Sequence, residues 1–379
     1  MSKNLPRTHF KNFGGYGPAP HKVVVPTKQG PSSALAQSIF YVELLARSNF
    51  SFLQGASHPE EMVLQAMQLG YRGLALCDLN GLYGIVRGWQ AVKYPSQFTA
   101  DEFSEQFRHG FRFHCGAELH LSDQTSLVLL PMNKNGYTNL CKLITIAKRD
   151  VTKGFSKLSL EDVIPISDDL LAFYMPPWKT QTFDRLQQTF LDRLYIPVWK
   201  DYTWQATQFY QQALKLEQER EASLFVTQRP LMHIPERKPT HDVLTCMLHR
   251  TTLRESKTRI TSNAEAYLKP VTDIAELWED RPDLVTKTVE IAERLQFSLE
   301  ELQYEYPSLS IPEGQTSPEF LRELVNQGLD WRYPQGTPKN VTELIEKELA
   351  LINELAYEDY FLTLWDICNF AAGQKILFQ

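Results

Sequence analysis

The runs Tyr41-Val-Glu-Leu-Leu-Ala46 and Gly73-Leu-Ala-Leu-Cys-Asp78 are each long enough for one buried strand, and the segment between them has the spacing of an amphipathic helix. This helix is marked by a predicted N-cap, a proline in the first turn, a capping-box glutamate and a terminal glycine, which are Ser57, Pro59, Glu60 and Gly70. A strand, a helix and a second strand in this order predict a β-α-β unit with parallel strands.

The same alternation of apolar runs and helical segments continues along the chain. Further predicted strands are Phe113 to Leu121, Ser126 to Pro131, Leu170 to Tyr174, Leu194 to Trp199 and Ser223 to Thr227. Seven strands separated by helical segments predict an α/β fold, namely a distorted seven-stranded β/α barrel of parallel strands over residues 37–235.

The alternation ends at a polar, proline-flanked connector, and residues 236–379 are predicted to be mostly α-helical. The predicted helices are Thr240 to Leu248, Pro282 to Leu295, Pro318 to Gly328, Thr342 to Leu355 and Glu358 to Ala372. After Gly373 the apolar run Lys375-Ile-Leu-Phe-Gln379 predicts the first residues of a buried strand.

Composition is that of a folded protein, with 43% hydrophobic and 22% charged residues and a net charge of −6. Five cysteines without CxxC spacing, no apolar leader and no run of the ~20 apolar residues that a membrane span needs predict a cytoplasmic protein with no membrane contact. Residues 1–36 carry five basic and no acidic side chains, which predicts a disordered basic arm, either a solvated leader or a weak contact for nucleic acid.

Several long phrases resemble one known family. They are Ser48 to Glu61, Leu74 to Gly84, Gly116-Ala-Glu118, Leu127 to Lys142 and Met232 to Pro239, followed by Tyr304 to Pro307 and Ile311 to Thr316. In this order they resemble the polymerase-and-histidinol-phosphatase (PHP) domain and the lead-in to the palm of bacterial C-family DNA polymerases, especially the error-prone paralogue of the DNA polymerase III alpha subunit.

The resemblance implies DNA-directed DNA synthesis in lesion bypass and DNA repair. In that family a Gly-Arg-Gly-Ser loop and the catalytic aspartates follow the matched stretch, so the resemblance implies a chain truncated before the catalytic core, with no catalytic residue of its own. It also implies that Mg²⁺ serves only the complete polymerase and that DNA binds through the C-terminal region. Lesion-bypass accessory proteins are candidate partners, and the resemblance leaves the nucleic-acid-binding residues of this chain open.

A working PHP centre holds metals with histidines and carboxylates at strand ends. The family's ligand positions fall mostly on other residues here, which are Leu45, Arg47, Leu79, Arg229 and Leu231. Only Asp78 and Glu118 remain, and the resemblance implies that they are vestigial metal ligands. The alternatives are that Asp78 caps the turn at residues 79–81 and that Glu118 pairs with Arg47.

Two other groups of residues allow more than one interpretation. His114 and His120 lie on one face of a predicted strand and are either a ligand pair or ordinary surface histidines. The aromatic residues between Trp199 and Tyr210 either stack on bases or pack a helix against the barrel, and the absence of a local basic cluster favours packing.

Three functional hypotheses follow from the sequence. The first is the N-terminal portion of an error-prone DNA polymerase with a degenerate, structural PHP domain. The second is a non-catalytic scaffold or gene remnant, and the third is a PHP-type metal phosphoesterase or exonuclease, which the substituted ligand positions disfavour.

Overall fold

The computed structural model describes residues 40–99, 110–302 and 311–377. The chain divides into two compact units, residues 1–302 and 303–379, which are described separately. The predicted basic arm, residues 1–36, lies outside the described residues. None of the described helices is long and apolar enough to cross a membrane.

The first unit contains one curled sheet of seven strands, whose spatial order equals their order in the chain. The strands are β1 Val42–Ala46, β2 Gly73–Leu79, β3 Arg112–His120, β4 Ser126–Pro131, β5 Leu170–Met175, β6 Leu194–Val198 and β7 Ser223–Val226. Each begins and ends within one or two residues of its predicted bounds. The predicted α/β fold with a distorted seven-stranded barrel-like sheet is therefore confirmed.

One strand corrects the prediction of a fully parallel sheet. Strand β4 runs antiparallel to both β3 and β5, whereas the other neighbours are parallel. Only residues 121–125 connect β3 to β4. A crossover between parallel strands needs a dozen or more residues, so this short connection forces a hairpin.

Helices cover both faces of the sheet. They are α1 Pro59–Gln68, α2 Ile85–Lys93, α3 Lys134–Lys148, α4 Leu160–Val163, α5 Thr180–Phe190, α6 Trp204–Arg220, α7 Lys238–Leu248, α8 Val271–Leu277 and α9 Pro282–Arg294. Successive strand residues enter different hydrophobic clusters: Ala172 and Tyr174 of β5 pack on one face, and Leu171 and Phe173 on the other. Burial on both faces explains why the strands are continuous apolar runs.

The first helix begins one residue later than predicted. His58 is the N-cap, and Glu61 accepts its backbone N–H at 2.7 Å to form the capping box. Ser57 instead accepts the backbone N–H of His233 at 2.9 Å. The helix ends as predicted, with Gly70 in the left-handed region at φ 79°.

Hydrogen bonds to the Glu43 side chain join the two edge strands, β1 and the end of β7, and we call this junction the seam. The buried Glu43 carboxylate of β1 accepts a hydrogen bond from the Thr227 hydroxyl at 2.6 Å and one from the Gln228 backbone N–H at 2.9 Å. Helix α9 packs on both edge strands, and its Thr288 hydroxyl accepts the Val42 backbone N–H at 3.2 Å. Because α9 packs there, the compact unit extends to Leu302, beyond the boundary that the sequence places at residue 235.

The second unit is helical in its described part, residues 311–377. Its helices are α10 Ser317–Arg332, α11 Lys339–Leu355 and α12 Glu358–Gly373. Helix α10 packs on α12 through the rings of Phe320 and Trp365, whose centroids are 6.2 Å apart. The strand predicted from Lys375 is wrong for the described residues 375–377, which form the end of a turn and then no regular secondary structure, with Leu377 98% exposed.

Candidate functional site

The ends of three neighbouring strands bring the predicted site residues together. Arg47 follows directly after β1, and Asp78 and Glu118 lie near the carboxyl ends of β2 and β3. Leu79 of β2 pairs in register with Glu118 of β3, so the carboxyl ends of these parallel strands meet at one edge of the sheet. We call this edge the mouth.

Arg47 and Glu118 form a buried ion pair between guanidinium nitrogen and carboxylate oxygen, and the predicted pairing is confirmed. The other terminal nitrogen of Arg47 donates to the Gln54 side chain at 2.7 Å. The Nε2 atom of His120 lies 3.4 Å from the second carboxylate oxygen. Burial by itself raises the pKa of Glu118, but Arg47 and His120 outweigh burial and hold this pKa well below its usual range.

The buried Asp78 carboxylate is occupied by the loop that follows β1. One oxygen accepts the Ser48 backbone N–H at 2.9 Å and the Ser51 hydroxyl at 2.7 Å, and the other accepts the Ser48 hydroxyl at 2.8 Å. The Ser51 hydroxyl oxygen in turn accepts the Leu79 backbone N–H at 2.9 Å. Asp78 therefore ties the β1 loop to the end of β2. Its carboxylate makes no hydrogen bond to residues 79–81 among the described residues, so the alternative that it caps this turn is wrong.

These residues do not fit a divalent metal centre. A hard cation needs several free oxygen ligands, whereas the oxygens of Asp78 are hydrogen-bonded to serines and Glu118 faces the fixed charge of Arg47. Within the described ranges no group of three or more His, Cys, Asp or Glu side chains could hold a metal. The role of Asp78 and Glu118 as vestigial ligands stays a prediction that this geometry does not favour.

The two histidines of β3 do not form a ligand pair. They are six residues apart on one strand, which separates them by roughly 20 Å at the usual rise per residue. His114 is buried, and burial lowers its pKa to about 3. His120 is half exposed at the mouth, so it is the surface histidine of the second interpretation.

A cleft of about 950 Å³ opens beside Arg47. It is lined by residues from separate parts of the chain, among them Arg47, Trp199, Asp201, Thr203, Arg229, Lys238, Arg259, Thr261 and Ser262. No sequence pattern predicts this site, because its basic residues are distant in the chain. Their one sequence mark is that Arg47 and Arg229 stand at positions where the family that the sequence resembles has histidine and aspartate.

Arg229 is a basic side chain of the cleft without a hydrogen-bond acceptor among the described residues. Its guanidinium lies over the ring of Trp199, 5.3 Å from the centroid, and it makes no hydrogen bond or ion pair with any described residue. Burial, followed by the nearby charge of Arg47, lowers the pKa of Arg229, while Glu118 opposes this shift. Its positive charge is thus held in an environment that disfavours it.

The aromatic residues between Trp199 and Tyr210 divide into two groups. Trp199 packs edge-on against Phe209 at 6.0 Å, and Tyr210 packs against Trp278 at 5.4 Å, as the packing interpretation predicts. Tyr202 and Trp204 are 75% and 78% exposed and stand on either side of Thr203, a residue of the cleft wall. The packing prediction therefore fails for these two rings.

Comparison with known proteins identifies the sequence pattern of the PHP domain at residues 43–217 and that of the bacterial DNA polymerase III alpha NTPase domain at residues 319–379. The chain is 52% identical to an error-prone DNA polymerase of Bdellovibrio bacteriovorus over 95% of its length, and 38% identical to one of Dechloromonas aromatica over 89%. It spans 34% and 32% of these relatives, respectively.

Among solved structures, an amidohydrolase from Chromobacterium violaceum aligns with 49% of this chain and 85% of its own, at 16% identity and a TM-score of 0.32. A putative metal-dependent phosphoesterase from Bifidobacterium adolescentis aligns with 54% of this chain and 88% of its own, at 12% identity and a TM-score of 0.33.

Proposed function

Because this chain belongs to the family of the bacterial error-prone DNA polymerases and spans about a third of their length, we propose that it is the part of such a polymerase that carries a structural PHP domain. The proposal rests above all on the ion pair between Arg47 and Glu118. DNA synthesis during lesion bypass and repair, a cytoplasmic location and the use of Mg²⁺ then belong to the complete enzyme and are part of the proposal.

The ion pair opposes metal-dependent hydrolysis at the mouth. Hydrolysis of a phosphoester by bound metals needs carboxylate and imidazole ligands that lower the pKa of a bound water. Arg47 neutralises Glu118 and repels a second cation, and Arg229 adds another positive charge to the same cleft. These charges support the loss of hydrolytic function.

The same residues support a structural role. The Arg47 to Glu118 pair joins the end of β1 to the end of β3, and Asp78 joins the β1 loop to β2. In a metal-dependent PHP domain, ligands shared by several strands perform the same linking. Here side-chain hydrogen bonds and one ion pair hold the strand ends.

The structural PHP role is tested by metal content and phosphodiester hydrolysis. After dialysis we expect less than stoichiometric Zn, Mn or Fe in the purified chain, as measured by mass spectrometry of the elements. We also expect no hydrolysis of bis(p-nitrophenyl) phosphate above that of the Asp78→Ala variant in the presence of Mn²⁺, Zn²⁺ or Mg²⁺. Retained metal together with turnover that Asp78→Ala abolishes would show a working PHP centre.

The polymerase assignment has its own test. The resemblance places the catalytic aspartates beyond residue 379, so the isolated chain should not extend a primed DNA template with Mg²⁺ or Mn²⁺. A longer polymerase that contains this sequence and the later catalytic aspartates should extend the template in the same assay. Extension by the isolated chain, after a control for contaminating polymerase, would refute the assignment of catalysis to a later region.

A further inference from the structure

The basic side chains of the cleft are unequally paired. Arg47 is bound to Glu118, and the Lys238 amine contacts both carboxylate oxygens of Asp242 at 2.6 Å. Arg229 and Arg259 form no ion pair with any described residue, although Arg259 donates to the backbone carbonyl of His249 at 3.3 Å. Positive charge therefore remains available at these two side chains.

Asp201, a carboxylate that lines the cleft, is hydrogen-bonded to its own loop. One oxygen of Asp201 accepts both the backbone N–H and the hydroxyl of Thr203, at 2.9 and 2.6 Å. Asp201 lines the cleft and attracts Arg229 at longer range, but no hydrogen bond joins the two. The five N–H donors of the Arg229 guanidinium consequently have no acceptor among the described residues.

A half-buried guanidinium without an acceptor gains most from an oxyanion. Its planar fork matches two oxygens of a phosphate, and hydrogen bonds between two charged groups are about twice as strong as neutral ones. Asp201 is the acidic side chain among the lining residues of the cleft, whereas Arg229 and Arg259 are two lining cations without an ion-pair partner among the described residues, so an entering anion can contact both arginines. The hydroxyl-bearing residues Thr261 and Ser262 stand in the same wall.

We propose that this cleft binds the phosphate group of a nucleotide, with Arg229 as the principal ligand and Arg259 as a second contact. The volume of about 950 Å³ exceeds the needs of a phosphate alone and lies in the range of pockets for nucleotide-sized ligands. Tyr202 and Trp204, exposed beside the cleft wall, offer ring faces on which a base can stack. Such a phosphate belongs either to a single DNA strand or to a free nucleotide.

This binding function goes beyond the structural role proposed above and does not depend on the polymerase assignment. Arg229 stands where the family that the sequence resembles has a metal ligand, and the same arginine supplies the proposed anion contact. A purely structural Arg229, held only by Trp199, would affect stability and leave ligand affinity unchanged. Affinity and stability are therefore measured side by side.

The test measures binding to the 379-residue chain at low ionic strength. The probes are a fluorescein-labelled, 5′-phosphorylated oligothymidylate followed by anisotropy, and thymidine monophosphate and inorganic phosphate as competitors. Arg229→Gln should weaken oligonucleotide binding by about tenfold or more, since it removes charge-assisted hydrogen bonds. Arg259→Gln should weaken it by about two- to fivefold, because an exposed phosphate contact contributes less.

The matched control is Arg185→Gln, an exposed arginine of α5 outside the cleft, which should leave binding unchanged. Displacement of the labelled probe by thymidine monophosphate and phosphate would support a site for a free phosphate. Displacement only by the unlabelled oligonucleotide would support a site for a DNA strand. If Arg229→Gln does not fold, as judged by circular dichroism, the comparison of Arg259→Gln with Arg185→Gln tests the proposal. No binding by the wild-type chain, or equal weakening by all three variants, would overturn the proposal.

Discussion

The seam and the mouth each contain one buried glutamate, and the two are stabilised in opposite ways. At the seam, Glu43 is held by neutral donors, including the Tyr41 hydroxyl at 2.8 Å and the Leu45 N–H at 2.9 Å, besides Thr227 and Gln228. At the mouth, Glu118 is held by the cation of Arg47. Glu43 links the two edge strands β1 and β7, and Glu118 links β3 to the end of β1, which is not its neighbour in the sheet.

The difference appears in the pKa values. Burial raises the pKa of Glu43 above its usual value, and four hydrogen bonds only reduce this shift. Burial also acts on Glu118, but Arg47 reverses the direction and lowers its pKa. Four neutral hydrogen bonds thus do not offset the cost of burying an ionised acid, whereas an adjacent arginine more than offsets it.

The largest expected effect comes from breaking the ion pair at the mouth. Glu118→Ala leaves Arg47 buried without its counter-ion and should lower the free energy of unfolding by about 3–5 kcal/mol. The double variant Arg47→Leu with Glu118→Leu removes both charges and should recover most of this loss. Urea denaturation measures the free energy of unfolding of each variant. Asp184→Ala, which breaks the half-exposed ion pair with Arg220, is a control for which we expect a smaller effect. A single variant no less stable than this control would contradict the comparison.

The second prediction concerns the pH dependence of stability. The pKa of Glu118 is lowered in the folded chain, so its contribution is present above the unfolded pKa of about 4.5 and is lost as the pH falls through the folded pKa. The pKa of Glu43 is raised, so its contribution is complete below about 4.5 and is lost as the pH rises through the folded pKa.

Two variants separate these contributions in urea titrations from about pH 2 to about pH 8. The stability of Glu43→Gln relative to wild type should increase with pH, because the variant has no charge to bury. The Arg47→Leu and Glu118→Leu double variant should lose less stability than wild type at the acidic end. Parallel pH profiles for all three proteins would show that the two glutamates do not differ.

The smallest expected effect is that of Asp78→Asn. The amide retains the oxygen that accepts from Ser51 and the Ser48 backbone, and the Ser48 hydroxyl can rotate to accept from the new NH₂ group. We expect a loss of about 1 kcal/mol in the free energy of unfolding, the usual net value of one hydrogen bond. A loss as large as that of Glu118→Ala would show that the charge of Asp78, and not its hydrogen bonds, stabilises the mouth.

The strands were predictable because burial on both faces leaves a continuous apolar run in the sequence, as in Leu170–Met175. The direction of β4 was missed, although the short connection at residues 121–125 contains the signal. Helix α8, Val271–Leu277, was missed because seven residues give too few turns for a clear period.

At the mouth, the pairing of Arg47 with Glu118 was predictable from strand ends that meet in a parallel sheet. The partners of Asp78 were not, because serine hydroxyls in a loop carry no spacing pattern. The cleft depends on Arg229 and Arg259, which lie far from Arg47 in the chain. The curl of the sheet brings the segment after β7, with Arg229, to the end of β1, where the Arg47 N–H donates to the Pro230 carbonyl at 3.0 Å, and Arg259 lies in the segment after α7. No local pattern encodes either position.

The order of the strands bears on how the chain folds during synthesis. Every ladder of the sheet joins strands that are consecutive in the chain, so each pair can form soon after its second strand is made. The seam differs, because the hydrogen bond between Glu43 and Thr227 joins residues that are 184 positions apart in the chain and can form only after Thr227 is synthesised. Closing so long a loop costs entropy before its hydrogen bonds form. We therefore expect the sheet to grow strand by strand from its N-terminal edge, with the seam as the last step.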